Sequence, residues 1–174
     1  MLDLLLEYKN IFKKNKITNV NFIATSALRD TENAKEIRDL LKQHNIDIKI
    51  ISGDVEASLL AEFNEDKKNS AVIDIGGGSL EICINSNNNI HAKSFQLGAV
   101  RLLNFTQDQK SQAFEELSLW LNQFKSIDHI YGLGGNLRAL MQANDIKGPI
   151  NTNDFSRYVK AVSYTHLTLP TTYH

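Results

Sequence analysis

The segment VIDIGGGSLEI, residues 72–82, combines residue types that could bind phosphate together with a metal ion. Asp74 precedes three glycines, and Ser79 and Glu81 follow them. A carboxylate at the end of a strand is a ligand that Mg²⁺ prefers, and glycines let successive backbone N–H groups form an anion site. Ser79 could donate to a phosphate oxygen, and Glu81 leaves the strand on the same face. The glycines alone favour a simple hairpin, but the flanking Asp and Ser-x-Glu reverse that balance.

Arg29 and Asn33 belong to a second segment suited to phosphate binding, ATSALRDTEN. A strand runs into a turn that carries Arg29, whose planar guanidinium group matches a phosphate. Asn33 lies in the first turn of the following helix, where anions are attracted. A surface arginine that pairs with Asp30 or Glu32 explains this segment equally well when it is read alone.

Glu56 lies in a third segment, ISGDVEASLL, after a strand and a glycine turn. A carboxylate that faces bound phosphate could position and deprotonate a water molecule for in-line attack. Helix capping is the alternative, because the helix dipole stabilises carboxylates near a helix N-terminus. We expect Asp54 to be the cap of this helix.

Gly134 and Gly135 follow a strand and open a helix in YGLGGNLRAL. Taken alone, the pattern indicates a tight strand-to-helix turn, because the full dinucleotide-binding fingerprint and its acid are absent. Other common catalytic patterns are missing as well. The five histidines and Cys83 lack the spacing of zinc ligands, and neither a G-x-S-x-G elbow nor a phosphate-loop lysine motif occurs.

Composition indicates a globular protein and favours neither nucleic acid nor a membrane as partner, and the single cysteine fits a cytoplasmic location. The 174 residues are 42% hydrophobic and 22% charged, with a formal net charge of −1. An anionic ligand would therefore be bound by local groups rather than by an overall field. The amino terminus has no signal-peptide cleavage site, and its apolar run is too short to cross a bilayer. Cys83 lies in an apolar strand and is predicted to be in the core.

The order of predicted elements changes after a polar segment, residues 64–70. Before it, helix and strand alternate, as in an α/β sheet: a helix in MLDLLLEYKNIFKK, a strand in NVNFIAT, a helix over 31–45, a strand in DIKIIS and a helix after Gly53. Beyond it, AVIDIG, LEICIN and IHAKSFQL predict an antiparallel meander at the edge of a mixed sheet. A helix over 108–125 and a strand–turn–helix follow. The helix over 108–125 has an apolar stripe that predicts a core face: Phe114, Leu117, Trp120, Leu121 and Phe124.

Five segments, in order, resemble the exopolyphosphatase/guanosine pentaphosphate phosphohydrolase family: ATSALRDTEN, IISGDVEASLL, VIDIGGGSLEI, FQLGAVRL and YGLGGNLRAL. The resemblance covers roughly residues 20–143, which makes it more specific than any single glycine loop. It implies a two-lobed α/β fold of the actin/hexokinase/Hsp70 (ribonuclease H-like) type, with the site in the cleft between lobes. It also implies Mg²⁺-assisted removal, by direct water attack, of a terminal phosphate from polyphosphate or of the 5′-phosphate of pppGpp.

The resemblance implies a role for each matching residue. Glu56 and Glu81 would be catalytic, and Asp74 and Glu81 would hold the metal, Mg²⁺. Together with Asn33, the phosphate-binding set would comprise Arg29, Gly76, Gly77, Gly78, Ser79, Gly134 and Gly135. The resemblance leaves a homodimer of the full-length protein open.

The resemblance is incomplete at both ends of the chain. Family members begin with a further phosphate loop that this chain lacks, and Leu80 and Asn136 stand where the family usually has Thr, and Thr or Ser. We therefore expect residues 1–68 to be the C-terminal part of the first lobe and residues 69–160 the N-terminal part of the second. Residues 161–174 include VSYTHLTLPTTYH and read as a tail of doubtful origin, with no assignable element.

Three functions are open at this point. The first is a phosphohydrolase, with weak or no turnover expected of this chain because half of the phosphate clamp would be missing. The second is a non-catalytic module that binds polyphosphate or the guanosine penta- and tetraphosphate alarmones. The third is a kinase of the same superfamily, against which Glu56 and the ordered motifs argue.

Overall fold

The computed structural model describes residues 1–65 and 67–168, with residues 161–168 described by their backbone alone. The helices are α1 Leu2–Lys14, α2 Ser26–Arg29, α3 Ala34–Gln43, α4 Gly53–Leu59, α5 Ala61–Asn64, α6 Ala99–Asn104, α7 Gln107–Leu121, α8 Gly134–Ala143 and α9 Thr152–Thr168. The strands are β1 Phe22–Ala24, β2 Ile48–Ile50, β3 Ser70–Ile75, β4 Leu80–Ser86, β5 Asn89–Phe95 and β6 His129–Leu133. The fold is thus mixed α/β, as predicted.

Strands β1 and β2 form a small parallel sheet in the first part of the chain. The helix α3 connects them, because a parallel pair needs a crossover connection. Leu41 of α3 is fully buried against Ile46, Ile48 and Leu28, and apolar residues of α1 pack around this cluster. These residues form the first of two hydrophobic cores.

The second sheet has four strands in the order β5-β4-β3-β6. The pairs β3 with β4 and β4 with β5 are antiparallel, whereas β6 lies parallel to β3. The meander within a mixed sheet is therefore confirmed. Six of the seven residues of β4 are buried, as expected of a strand that lies between β3 and β5. Helices α4 and α5 pack against this strand, so the second sheet holds the helix that carries Glu56.

The helix α7 covers the second core with only part of its apolar stripe. Leu117 and Trp120 pack against that core, as does Phe124, which lies beyond the end of α7 rather than in the predicted helix over 108–125. The Trp120 ring lies edge-on to the Phe95 ring with centroids 5.5 Å apart. Phe114 is 49% exposed, and Leu121 is 39% exposed. The prediction that all five stripe residues face the core was therefore wrong, because the stripe is wider than the surface that the sheet offers.

Several local predictions need correction. Helix α3 begins at Ala34 rather than at the predicted Thr31, and a separate short helix, α2, occupies residues 26–29. The cap of α4 is Ser52, whose side chain accepts a hydrogen bond from the Val55 N–H at 3.2 Å, and Asp54 lies within the first turn instead. The expected tail without structure is helical as far as Thr168, and its residues 169–174 lie outside the described residues.

The connection between the two parts is held by buried amide groups. The Asn64 side-chain N–H donates to the carbonyl oxygens of Ser70 and Cys83, both at 3.2 Å, and the Ser70 hydroxyl donates to Asn64 Oδ1 at 2.6 Å. Cys83 is fully buried and unpaired with another cysteine, as predicted. The lobe boundary at residue 68 stays a prediction. Within the described residues, no helix is both long and apolar enough to cross a membrane.

Candidate active site

The register of the second sheet places three polar side chains in one row. Asp74 of β3 lies directly opposite Glu81 of β4, and Glu81 lies opposite Ser94 of β5. Directly opposed residues of an antiparallel pair project to the same face of the sheet. The Ser94 hydroxyl donates to Glu81 Oε1 at 2.8 Å. The two acids that the sequence proposed as metal ligands are therefore neighbours on one face.

Glu81 is 5% exposed, and its surroundings raise the pKa of its carboxyl group. Burial is the largest cause, because the ionised carboxylate loses its hydration. Hydrogen bonds from Ser79 and Ser94 act in the opposite direction, and the negative charges of Glu56 and Asp74 raise the pKa further. Three carboxylates from different elements are thus near enough to repel one another, and a cation or a proton at Glu81 would reduce that repulsion.

The glycine loop, residues 76–79, is held by hydrogen bonds from helix α6. The N–H of Ala99 donates to the Gly76 carbonyl oxygen at 2.9 Å, and the N–H groups of Val100 and Arg101 donate to the Gly77 carbonyl oxygen at 2.9 and 3.0 Å. The Arg101 Nε–H donates to the Gly78 carbonyl oxygen at 2.5 Å. All three glycine carbonyl groups therefore point towards α6.

This arrangement fixes the direction of the N–H groups that follow. The described chain has no cis peptide bonds, and the C=O and N–H of a trans peptide point in opposite directions. The N–H groups of Gly77, Gly78 and Ser79 consequently point away from α6. Three successive donors on one side of a loop are a suitable binding surface for a phosphate group.

Close packing explains the glycine at position 78. Among the described glycines, only Gly134 has a positive φ, so the turn itself does not demand glycine at residues 76–78. A Cβ atom on Gly78 would lie 1.8 Å from the Ser26 hydroxyl oxygen, and one on Gly98 would lie 2.3 Å from the Gly78 backbone. The loop is thus packed between α6 and the N-terminal residue of α2.

Arg29 and Glu56 meet at the N-terminal end of α4. The Arg29 Nη1 group donates to Glu56 Oε2 at 3.0 Å and to the Ile51 carbonyl oxygen at 2.8 Å, while Nε lies 3.5 Å from Asp30 Oδ1. The pairing of Arg29 with Asp30 that the alternative predicted is therefore present, but Arg29 is only 18% exposed and also binds Glu56. Its Nη2 group is buried without a hydrogen-bond partner in the part of the chain that the structure describes. A buried donor of this kind is suited to an anionic ligand.

Gly134 places the start of α8 beside Asp74. Its φ of +86° favours glycine, and a Cβ atom there would lie 2.4 Å from Asp74 Oδ1. Asn136 donates from its side chain to the Ile75 carbonyl oxygen at 2.6 Å, which ties α8 to the strand before the glycine loop. A Cβ atom on Gly135 would meet no described atom within 4 Å. The tight strand-to-helix turn is confirmed, and only Gly134 contacts the acids.

The structure gives Asn33 only a local contact. Its Oδ1 accepts a hydrogen bond from the Thr31 hydroxyl at 2.7 Å, and the residue is exposed.

Sequence reasoning missed two residues of the site, Ser94 and Arg101. Ser94 could have been found from its register with Glu81, but the contacts of Arg101 lie too far along the chain for any spacing rule.

The carboxylates of this site could supply only some of the ligands of a Mg²⁺ ion. Among the residues described, no three side chains of His, Cys, Asp and Glu are grouped so that they could hold a metal ion. Mg²⁺ usually takes one or two carboxylates from the protein and completes its shell with water and substrate phosphates. Asp74 and Glu81, opposed in the sheet, meet that requirement.

Comparisons with known proteins identify the family of this chain. Residues 1–127 match the Ppx/GppA phosphatase family. A bifunctional 3-dehydroquinate synthase/phosphatase of Fusobacterium nucleatum is 38% identical over 111 residues, which are 58% of this chain and 17% of that protein.

Solved structures are similar as well. An exopolyphosphatase from Cytophaga hutchinsonii superposes with a TM-score of 0.73 and 25% identity, over 92% of this chain and 62% of that one. The Aquifex aeolicus Ppx/GppA family member gives a TM-score of 0.60 and 26% identity, over 87% of this chain and 54% of that one. This chain thus spans less than two thirds of these relatives. It belongs to the Ppx/GppA phosphatase family and has the actin/hexokinase-like fold of that family.

Proposed function

We propose that this chain carries the residues of a site that hydrolyses a terminal phosphate of inorganic polyphosphate, or the 5′-terminal phosphate of pppGpp, by direct attack of water in the presence of Mg²⁺, and that its own turnover is weak. The family to which the chain belongs supports a phosphatase, and one of its structural neighbours is an exopolyphosphatase.

The arrangement of Arg29 beside Glu56 is the observation that carries the proposal. Nη1 of Arg29 holds Glu56 Oε2 at 3.0 Å, while the buried Nη2 group of the same guanidinium has no partner among the described residues. One guanidinium group could thus fix the carboxylate and bind a phosphate oxygen simultaneously. A carboxylate held next to bound phosphate is suitably placed to act on a water molecule.

Each group then has a defined task in the reaction. The N–H groups of Gly77, Gly78 and Ser79 bind oxygens of the terminal phosphoryl group and stabilise the charge that develops on them. Glu56 accepts a proton from water as the water oxygen bonds to phosphorus. The bond between phosphorus and the leaving-group oxygen breaks, and the leaving phosphate keeps its electron pair. No covalent enzyme intermediate is formed.

Asp74 and Glu81 would hold Mg²⁺, which supplies positive charge to the phosphate oxygens when it is bound. Without it, two carboxylates lie opposite each other on neighbouring strands. Ser94 keeps the Glu81 carboxylate in place through its 2.8 Å hydrogen bond.

Phosphate release from polyphosphate and from pppGpp, each with and without Mg²⁺, tests the proposal. We expect release to require Mg²⁺ and Glu56→Gln to lower it by about 10²–10⁴-fold, the usual contribution of a general base. Glu62→Gln, which changes an exposed glutamate on the neighbouring helix α5, is the matched control and should retain the activity. Equal rates for Glu56→Gln and the unaltered chain would contradict the assignment.

Two other outcomes identify the other functions. Binding of polyphosphate or pppGpp without release, unaffected by Glu56→Gln, would favour the non-catalytic binding module. Transfer of phosphate from ATP to an acceptor would instead indicate a kinase.

A further inference from the structure

Arg101 contacts both the glycine loop and the turn that carries Arg29. Its Nε–H donates to the Gly78 carbonyl oxygen at 2.5 Å. Its Nη2 group forms an ion pair with Asp30 Oδ2 and lies 3.4 Å from the Ser26 hydroxyl oxygen. Asp30 lies 71 residues before Arg101 in the sequence, and Ser26 lies 75 residues before it.

The backbone of Arg101 fixes the position of its side chain. The Arg101 N–H donates to the Gly77 carbonyl oxygen at 3.0 Å, so this residue holds the loop through its main chain and its side chain. Nε and Nη2 belong to one planar group, so the Gly78 carbonyl and the Asp30 carboxylate are held at a set distance from each other. A lysine could not do this, because its ammonium group is a single point charge.

Asp30 is the point at which two arginines meet. Its Oδ2 pairs with Arg101, and its Oδ1 lies 3.5 Å from Arg29 Nε. A continuous set of contacts therefore runs from the Gly78 carbonyl through Arg101, Asp30 and Arg29 to Glu56. Arg101 and Asp30 are 25% and 31% exposed, so their attraction is only partly screened by water.

We propose that Asp30 and Arg101 form a clasp that fixes the glycine loop relative to Arg29 and Glu56. Arg101 is a positioning residue in this assignment: it touches the loop that binds phosphate, not the phosphate. The clasp deepens the proposed function, and only its effect on turnover rests on that function. The contacts themselves are testable in the absence of any substrate.

Amide hydrogen exchange of Arg101→Lys, measured by NMR, tests the clasp directly. The Asp30 N–H donates to the Ser26 carbonyl oxygen, and the Val100 N–H donates to the Gly77 carbonyl oxygen. The Asp30 amide therefore reports on the Asp30 side of the clasp, and the Val100 amide reports on the glycine-loop side. We expect both to exchange about three- to tenfold faster, since a partly exposed charged pair contributes modestly to local stability. The Ile46 N–H, which donates to Leu41 in the first core, should exchange at the original rate.

Arg157→Lys is the matched control, because Arg157 pairs with Asp154 at 2.9 Å on the exposed surface of α9. It should leave the Asp30 and Val100 amides unchanged. Asp30→Asn should speed exchange of the Val100 amide across the clasp, and the double variant Arg101→Lys with Asp30→Asn should add nothing to the larger single effect. If Arg101→Lys does not fold, the Val100 amide in Asp30→Asn decides the question.

Unchanged Asp30 and Val100 amides in Arg101→Lys, or additive effects in the double variant, would overturn the clasp. Its consequence for turnover is a KM for tripolyphosphate that rises about three- to tenfold in Arg101→Lys, with a smaller change in kcat. Should the unaltered chain release no phosphate while the exchange results hold, the proposed function fails and the clasp stands.

Discussion

At the scale of single residues, the row formed by Asp74 and Glu81 is unfavourable for folding. Carboxylates directly opposite each other on antiparallel strands repel, and Glu81 is also buried. The hydrogen bond from Ser94 offsets only part of this cost. A sheet selected for stability alone would place neutral or opposite charges here, so the row is the part of the sheet best explained by ligand binding.

Replacing Glu81 with Gln should stabilise the protein at neutral pH. The pKa of Glu81 is raised in the folded state, chiefly by burial, so the folded state holds this proton at pH values where the unfolded chain has released it. Stability from this group is therefore present below the usual glutamate pKa and is lost as pH rises through the raised value. We expect Glu81→Gln to raise the thermal midpoint at pH 7, measured in EDTA.

The gain from Glu81→Gln should shrink as pH falls below the usual glutamate pKa, since the native carboxyl group is then protonated too. Gln can still accept the hydrogen bond of Ser94, so packing changes little. Glu7→Gln, at an exposed position on α1, serves as the control. A thermal midpoint that drops at pH 7 in Glu81→Gln would contradict the unfavourable burial of the carboxylate.

At the scale of elements, the turn from β6 into α8 passes directly beside Asp74. Gly134 has a φ of +86° and leaves no room for a Cβ atom beside the Asp74 carboxylate, whereas Gly135 faces open space. The two neighbouring glycines of this turn are therefore present for different physical reasons. One is needed for the backbone conformation and close approach, and the other is tolerated at the start of a helix.

Alanine substitutions at these two glycines should change stability in opposite directions. Gly134→Ala should lower the free energy of unfolding by about 1–3 kcal/mol, because a Cβ atom is strained at positive φ and overlaps Asp74. Gly135→Ala should raise it by up to about 1 kcal/mol through helix propensity. Urea titrations of both variants measure the difference, and a Gly134→Ala variant as stable as the unaltered chain would show that the turn can relax.

Sequence patterns predicted the elements that have a clear period and missed those without one. The three strands of the meander and the turn at Gly134 follow from alternating apolar residues and glycine. Helices α2 and α6 have four and six residues, too few for a helical period to appear. The clasp of Asp30 and Arg101 depends on how the first part of the chain packs on the second sheet, and no local pattern carries that information.

At the scale of the whole molecule, two hydrophobic cores share no residue. The first surrounds Leu41 beside the two-stranded sheet, and the second surrounds Ile84 and Phe95 in the four-stranded sheet. Helix α4, which packs on β4 and β5, the buried hydrogen bonds of the Asn64 side chain and partly exposed ion pairs join the two parts of the chain. Because such pairs contribute little stability each, we expect the two cores to unfold with incomplete coupling.

Leu41→Ala should reveal this incomplete coupling. The substitution removes a fully buried side chain and should cost the first core about 2–5 kcal/mol. Trp120, the one tryptophan, packs on the second core, so its fluorescence reports on that core alone, while far-UV circular dichroism reports on both. We expect the urea midpoint from circular dichroism to fall more than the midpoint from fluorescence.

Ile84→Ala is the reciprocal variant, because Ile84 is 1% exposed in the second core, and it should shift the Trp120 midpoint by the larger amount. Equal shifts of both midpoints in Leu41→Ala would mean that the molecule unfolds as one unit. In that case the contacts from Gly78 through Arg101 and Asp30 would join two mutually dependent halves. With unequal shifts, the first part can loosen while the second sheet stays folded, and the clasp then determines how often Arg29 and the glycine loop form one site.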